Sequence, residues 1–321
     1  MQQAPENRPP STPTAAGHQW IYLMLLTIVV LWGINVVMIK YLTQYYHPLA
    51  LAAIRLSLAT FLLVPVAVRQ SGRVTPPQSS WVPITGVVIF SIYLHHTTLA
   101  WGIASTSATH ASLILGLNPL LTTVLASYFI GEAFTWIKAV AIILGFSGVS
   151  LIVSGQSVSN STSLNGDIIM LVSTLAAAIG SLFIKKSTAL LSPLLVTAYS
   201  HLAASAALVL TAAFAVPVWI YDGAFAPVPV AIILFSSFIN TALGALWWNT
   251  GIQKVGASTT SLFQNGIPVA GMFASALFLN EVLGAQHFTA LALVLLGVSL
   301  GTGLLKPLRL LSALRSRLSS H

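Results

Sequence analysis

Charged side chains are rare in this sequence, and their positions limit the chemistry available to it. Among 321 residues, 13 are Lys or Arg and five are Asp or Glu. Arg55 lies inside an apolar run, where an ionised group is costly and tends to face other helices or a watery cavity. Its guanidinium could pair with the carboxylate or phosphate of a ligand, or it could anchor helix-end carbonyls. We assign Arg55 a structural or gating role.

Four histidines, His95, His96, His110 and His201, fall within or beside apolar runs. An imidazole titrates near neutral pH and can relay protons. His95 and His96 are adjacent, so on a helix they point about 100° apart, which does not favour a shared metal ion. The carboxylates avoid the middle of the apolar runs and the chain has no cysteine, so we expect no metal and no cofactor.

Neutral polar and aromatic residues supply the remaining candidates. Asn118 precedes Pro119, and Asn265 stands close before Pro268. A proline frees backbone carbonyls, which broken helices use to hold substrates, although hydrogen bonding between helices is the commoner use of such side chains. The predicted substrate-binding residues are Asn35, Tyr93, His96, Asn118, Tyr199, Trp247, Gln264 and Asn265.

A second set is assigned structural or gating roles. Lys40 stands near the end of an apolar run, from which its ammonium can reach the interface. Glu132 and Glu281 stand at the ends of two further runs, where a carboxylate can cap a loop or form an ion pair. The whole set is Lys40, Arg55, Glu132, Glu281, Pro119 and Pro268.

The composition places these residues in a membrane. The chain is 56% hydrophobic and 6% charged, against roughly 25% charged in soluble proteins. Its net charge of +8 comes from basic residues that stand singly between apolar runs and in the C-terminal segment, so it does not indicate nucleic-acid binding. The expected partners are membrane lipid and a small-molecule substrate, and a homodimer is left open.

Unbroken apolar runs of about 20 residues predict transmembrane α-helices rather than the alternating strands of a barrel. The sequence therefore predicts an all-α integral membrane protein of ten helices. The expected spans are 20–42, 48–68, 81–103, 107–130, 135–155, 165–185, 193–215, 228–250, 257–279 and 286–305.

The basic residues orient this bundle. With a cytoplasmic N-terminus, 11 of the 13 Lys and Arg residues fall on the cytoplasmic side, Lys40 falls outside and Arg55 remains within a span. Cytoplasmic loops are enriched in Lys and Arg, so both termini are expected in the cytoplasm.

Two halves of the chain resemble each other. Gly148-Val149-Ser150-Leu151 recurs as Gly297-Val298-Ser299-Leu300, 149 residues later, and Ile39-Lys40 recurs as Ile184-Lys185 at an offset of 145. Five spans per half is an odd number, so the second half enters from the opposite face, as in the inverted repeats of many secondary transporters. The expected domains are a disordered tail 1–18, a first repeat 19–156, a second repeat 165–305 and a basic tail 306–321.

These motifs resemble a known family. Trp32-Gly33-Ile34-Asn35, Asn118-Pro119-Leu120 and Gly131-Glu132 resemble an EamA-type domain of the drug/metabolite transporter superfamily, and Asn280-Glu281 repeats the pattern in the second half. The resemblance spans about 20–305. It implies ten helices around a central cavity, a bacterial inner membrane, and usually export of amino acids or similar metabolites. The second half departs from the pattern, because Ser200-His201 stands near where Arg55 would recur.

The expected function is therefore secondary transport of a small polar metabolite by alternating access. A channel, or an exchange carrier for nucleosides or sugar phosphates, is the alternative. A membrane enzyme would need paired acids or a metal cluster, for which five acidic residues leave little material. No Walker A motif occurs, which argues against a built-in ATPase.

Overall fold

The computed structural model describes residues 15–72, 75–130, 135–154 and 163–301. Glu132, most of the expected N-terminal tail and the whole expected tail 306–321 lie outside these ranges. Within the described residues every regular element is helical, apart from one isolated β-bridge between Tyr46 and Ile220. The all-α architecture predicted from the apolar runs is confirmed.

Ten helical segments, α1 to α10, follow one another along the described residues. In chain order they are Ala15–Leu42, Pro48–Ser71, Gln78–Ser105, Ala108–Ile130 interrupted at 116–117, Trp136–Ser154, Leu164–Thr188, Pro193–Ala215, Pro227–Val255, 257–279 and Ala285–Gly301.

Eight of these segments are long and apolar enough to cross a membrane. The other two, α5 and α10, contain the shorter apolar helices Trp136–Ile152 and Ala285–Leu300. A helix satisfies its backbone hydrogen bonds internally, which lipid demands of any spanning segment. The fold is therefore that of an integral membrane helical bundle.

Local sequence signals set several helix ends. Pro48 and Pro193 stand in the first turns of α2 and α7, where a missing N–H does no harm. The hydroxyl of Ser192 caps α7, and the Nδ1 atom of His47 caps α2 by accepting from the Leu49 N–H at 3.3 Å. The C-cap of α9 is Asn280, in the left-handed conformation that asparagine tolerates.

Irregular turns interrupt four helices at matching places. A π-helix occupies Val87–Leu94 in α3 and another occupies Ser236–Leu243 in α8, so the two begin 149 residues apart. The α4 helix breaks after Leu115, and α9 passes through a 3₁₀ turn at Phe263–Asn265. Such departures from α geometry are frequent at functional sites.

Helices of the first half pack against helices of the second. The main pairs are α1 with α9, α2 with α7, α3 with α6, and α5 with α10. In the last pair, a Cβ added to Gly148 would lie 2.8 Å from the Ala290 carbonyl oxygen, and one added to Gly297 would lie 2.7 Å from that of Ala141. Small residues allow backbones to approach this closely.

Candidate functional site

A polar cavity lies at the centre of the bundle. Its volume is about 130 Å³, and helices α1, α2, α3, α4, α6, α8 and α9 contribute to its wall. Apolar residues, including Trp32 and Trp248, form much of the wall. Its polar residues are Asn35, Arg55, Ser91, His95, His96, Asn118, Ser181, Asn240, Thr241, Asn249 and Gln264.

The helix irregularities position several of these groups. Ser91 lies in the π-helix of α3, and Asn240 and Thr241 lie in that of α8. Asn118 begins the second part of α4, and Gln264 lies in the 3₁₀ turn of α9. All four irregular segments therefore contribute to the cavity wall.

Arg55 is buried in this wall, with 2% of its surface exposed. Its Nε donates to the hydroxyl of Ser236 at 2.8 Å, and its Nη2 donates to the hydroxyl of Thr241 at 2.9 Å. Ser236 in turn donates to Oδ1 of Asn35 at 2.6 Å. The guanidinium is thus oriented by neutral groups from α8, and no described carboxylate lines the cavity with it.

The histidines of the cavity are held differently. Nδ1 of His95 lies 2.9 Å from the hydroxyl and 3.1 Å from the carbonyl oxygen of Ser173. The ring of His96 lies 5.0 Å from that of His95, at an interplanar angle of 67°. His201 bonds through Nδ1 to the Thr197 carbonyl at 2.9 Å, outside the cavity lining. No described group of three His, Cys, Asp or Glu residues could hold a metal ion.

Three cavity residues keep buried polar atoms without a hydrogen-bond partner among the described residues. They are Nδ1 of His96, both amide atoms of Asn240 and Oε1 of Gln264. A buried polar group is ordinarily paired, so these atoms are available to a bound molecule. The cavity therefore offers one cation, several amides and imidazoles to a small polar ligand.

The structure brings four of the predicted substrate-binding residues to this cavity. They are Asn35, His96, Asn118 and Gln264.

The other four lie elsewhere. Tyr93 shares a hydrogen bond with Thr211 of α7 at 2.9 Å, and Tyr199 lines a separate apolar cavity between α2 and α7. Trp247 packs against the core, while its neighbour Trp248 faces the cavity. Asn265 has a buried, unpaired Oδ1 and is absent from the lining.

The residues assigned structural or gating roles are also dispersed. Arg55 belongs to the cavity wall, whereas Lys40 lies at one end of the bundle. Its Nζ donates to three carbonyls at the C-terminal end of α3, those of Ile103 at 3.0 Å, Ala104 at 3.2 Å and Thr106 at 2.6 Å. An ammonium there complements the negative end of the helix dipole.

Glu281 caps a neighbouring helix at the same end. Its carboxylate accepts from the N–H groups of Ala108 at 2.8 Å and Thr109 at 3.0 Å, at the start of α4. Pro268 packs close to Gly116 at the break of α4. Pro119 follows Asn118 in the first turn of the second part of α4.

A buried acid lies near this end without reaching the cavity. Asp167, 1% exposed, accepts from the hydroxyl of Thr106 at 2.6 Å and lies 3.3 Å from Nδ1 of His110. No sequence pattern pairs Asp167 with His110, because 57 residues separate them. This pair links α4 to α6.

Several residues that the sequence analysis did not select face the cavity in equivalent pairs. Ser91 and Asn240 both line it and are 149 residues apart, and so are Leu115 and Gln264. Further lining pairs at offsets of 149 or 145 are Ile92 with Thr241, Leu99 with Trp248, Asn118 with Ile267, Trp32 with Ala177, Val36 with Ser181 and Ile39 with Ile184. Transferring the predicted residues Asn118 and Gln264 by the repeat offset leads to Ile267 and Leu115, whereas the other pairs contain no predicted substrate-binding residue.

Comparison with known proteins agrees with this architecture. The model of the EamA-like transporter family matches residues 19–154 and again 164–302. An uncharacterized transporter of Bacillus subtilis, YyaM, is 30% identical over 301 residues, covering 90% of this chain and 95% of the relative. A probable amino-acid metabolite efflux pump of Escherichia coli is 23% identical, covering 86% and 92% of the two chains.

The fold has a counterpart among solved structures. One crystal structure superimposes with a TM-score of 0.66 and covers 89% of this chain and 99% of its own, at 16% identity. That likeness concerns the fold alone. The family model matches most of the sequence in two consecutive copies, and a transporter relative matches it almost end to end. The chain belongs to the EamA-like transporter family, within the drug/metabolite transporter superfamily.

Proposed function

We propose that this protein is a secondary carrier that moves a small polar metabolite, an amino acid or a related compound, out of the cell by alternating access. The observation that carries the proposal is the central polar cavity, to whose wall the two halves of the chain contribute many equivalent residues. A site near the midplane, built from two related halves, is what an alternating-access carrier needs.

The repeat is part of the same proposal. In it, α1–α5 and α6–α10 form two five-helix units of opposite orientation, with all ten helices crossing the membrane. Three observations support it: the family model's two matches, the π-helices 149 residues apart, and the close approaches of Gly148 to Ala290 and of Gly297 to Ala141. Ser91, Asn118 and their partners would then open alternately to either side.

The direction and location also belong to the proposal. The Escherichia coli relative is described as a probable efflux pump for amino-acid metabolites, which supports export. The bias of Lys and Arg residues favours cytoplasmic termini. The similarity to proteins of Bacillus subtilis and Escherichia coli supports a bacterial cell membrane. The substrate-binding residues are those of the cavity, with Asn35, His96, Asn118 and Gln264 among them, and the chain acts without chemical conversion of its substrate.

Counterflow in proteoliposomes tests the carrier. Labelled amino acids, nucleosides and sugar phosphates would be offered to the purified, reconstituted protein at two pH values. We expect saturable exchange of one class, blocked by Ser181→Trp in the cavity wall and retained in Leu210→Trp on the exposed face of α7. Conductance that rises linearly with substrate concentration would indicate a channel rather than a carrier, and a chemically altered product would indicate an enzyme.

A further inference from the structure

We infer that the cavity selects a small organic monoanion, a carboxylic acid without a free ammonium group, whose carboxylate pairs with Arg55. The inference rests on the proposed transport function and narrows its substrate class, favouring acids related to amino acids over the zwitterionic amino acids themselves. Its basis is an imbalance of charge in the cavity wall, where a buried guanidinium has no described counter-charge.

The acidic residues of the described chain are all placed elsewhere. Asp167 bonds to Thr106 and lies beside His110, and Glu281 caps the start of α4. Asp222 is exposed in the connection between α7 and α8. Within the described ranges, no carboxylate therefore lines the cavity or pairs with Arg55.

The neutral groups around Arg55 orient it without balancing its charge. Ser236 and Thr241 supply hydroxyl oxygens, and the amides and imidazoles of the wall carry no negative charge at physiological pH. A buried ion is strongly disfavoured unless an opposite charge accompanies it. A ligand with one negative charge supplies that partner.

The donor geometry suits a carboxylate. Nε and Nη2 of Arg55 are occupied by Ser236 and Thr241, while Nη1 donates to no residue that the structure describes. Arginine presents its donors in a planar fork that matches a carboxylate. A phosphate monoester carries nearly two negative charges at neutral pH and would leave one of them unbalanced beside a single cation.

The same balance of charge in the loaded cavity disfavours a zwitterionic amino acid. Its carboxylate would pair with Arg55, but its ammonium would find only neutral acceptors such as Oε1 of Gln264 and Oδ1 of Asn240. The loaded cavity would then keep a net positive charge in surroundings of low polarity. A 2-oxo acid or an N-acyl amino acid leaves it neutral. Nδ2 of Asn240 can donate to the oxo or acyl oxygen, and Oε1 of Gln264 can accept from the N–H of an acyl amide.

Matched probes on shared side chains test this charge rule. Counterflow of alanine, leucine and phenylalanine would be compared with that of their 2-oxo and N-acetyl derivatives at pH 7. We expect the monoanions to exchange about tenfold faster or more, because leaving a buried charge unpaired weakens substrate binding by at least that factor. Equal or faster exchange of the zwitterions would overturn the inference and leave the carrier intact. No saturable flux of any probe would instead count against transport itself.

Variants of Arg55 provide the second arm. Arg55→Gln should abolish monoanion exchange, and Arg55→Lys, which keeps the charge and loses the fork, should retain a part of it. Arg69→Gln removes a charge from the exposed end of the same helix and should exchange like the wild type. Undiminished monoanion exchange by folded Arg55→Gln would refute the pairing. If that variant fails to fold, the comparison of probes on the wild-type protein still tests the inference.

Discussion

The hydroxyl oxygens of Thr60 and Ser205 lie 3.2 Å apart across the contact between α2 and α7. The two residues are 145 positions apart, the offset that relates the early parts of the two halves. Equivalent residues can touch only close to the axis that relates them. The α2–α7 contact therefore marks the place where such an axis would pass through the proposed inverted repeat.

The α5–α10 contact should tolerate no side chain at its two equivalent glycines. Gly148→Ala and Gly297→Ala each place a Cβ within 2.8 Å of a backbone carbonyl on the opposite helix. We expect each to destabilise the protein by about 1–3 kcal/mol, as overpacking does, and to lower the unfolding temperature in detergent. Gly284→Ala is the control, since its nearest atom would lie 3.9 Å away. Equal stability of all three would contradict this packing.

Lys40 and Lys185 occupy equivalent positions but differ in their surroundings. Lys40 bonds three carbonyls at the end of α3, whereas Lys185 is exposed. Lys40→Met leaves those carbonyls without their cation, and hydrogen bonds to charged groups are worth about 1.5–3 kcal/mol. We expect a clear loss of thermal stability for Lys40→Met and little change for Lys185→Met. Equal changes in thermal stability in the two variants would mean that the bonds from Lys40 to the α3 carbonyls do not stabilise the fold.

The absence of cysteine makes the proposed orientation easy to measure. Lys185→Cys should lie on the cytoplasmic side, and Asp222→Cys on the outer side. In whole cells, a membrane-impermeant maleimide should label Asp222→Cys at once and Lys185→Cys only after permeabilisation. The reverse pattern would show that the bundle has the opposite orientation. The distribution of basic residues would then no longer support cytoplasmic termini.

The charge of the cavity can be changed at a single uncharged residue. Gln264→Glu adds a carboxylate of almost the same shape at an oxygen that has no described partner. We expect monoanion counterflow to fall about tenfold or more, since like charges repel in a low dielectric, while zwitterionic amino acids gain relative to it. Gln253→Glu, at the end of α8 and outside the cavity lining, is the matched control. An unchanged ratio of the two probe classes would show that Gln264 does not face the substrate.

His47 gives the fold a dependence on pH at the start of α2. Partial burial lowers the pKa of His47 below its ordinary value of 6.5. The neutral ring accepts from the Leu49 N–H, and protonation removes that acceptor. The unfolded chain then binds the proton more readily than the folded one, so this stabilisation is present above pH 6.5 and is lost as the pH falls through the folded-state pKa.

His47→Asn keeps a capping acceptor that does not titrate. The unfolding temperature should therefore fall less between pH 7.5 and pH 5 in His47→Asn than in the wild type. Parallel curves for the two proteins would rule out this contribution.

Much of the fold follows from apolar runs, because lipid leaves a spanning segment few alternatives to a helix. The expected span 193–215 coincides with α7, and the break expected between the spans 81–103 and 107–130 falls between α3 and α4. The cavity was harder to predict. The predictions for Tyr93 and Tyr199 rest on residue type, because in a bundle that is apolar on every side the sequence does not tell which face of a helix is inward. The π-helices also change which residues face inward, and no pattern in the sequence predicts the π-helices.

The fixed position of Arg55 also decides how voltage acts on the proposed carrier. Its charge stays in the wall of the cavity, so an empty protein keeps that charge unbalanced and a protein loaded with a monoanion does not. Each export cycle of such a substrate carries one negative charge outward. An inside-negative potential of about 100 mV contributes about 2.3 kcal/mol to that movement, which corresponds to a gradient of about 50-fold. On the proposed substrate class, the resting potential alone would drive accumulation outside, and no co-transported ion would be required.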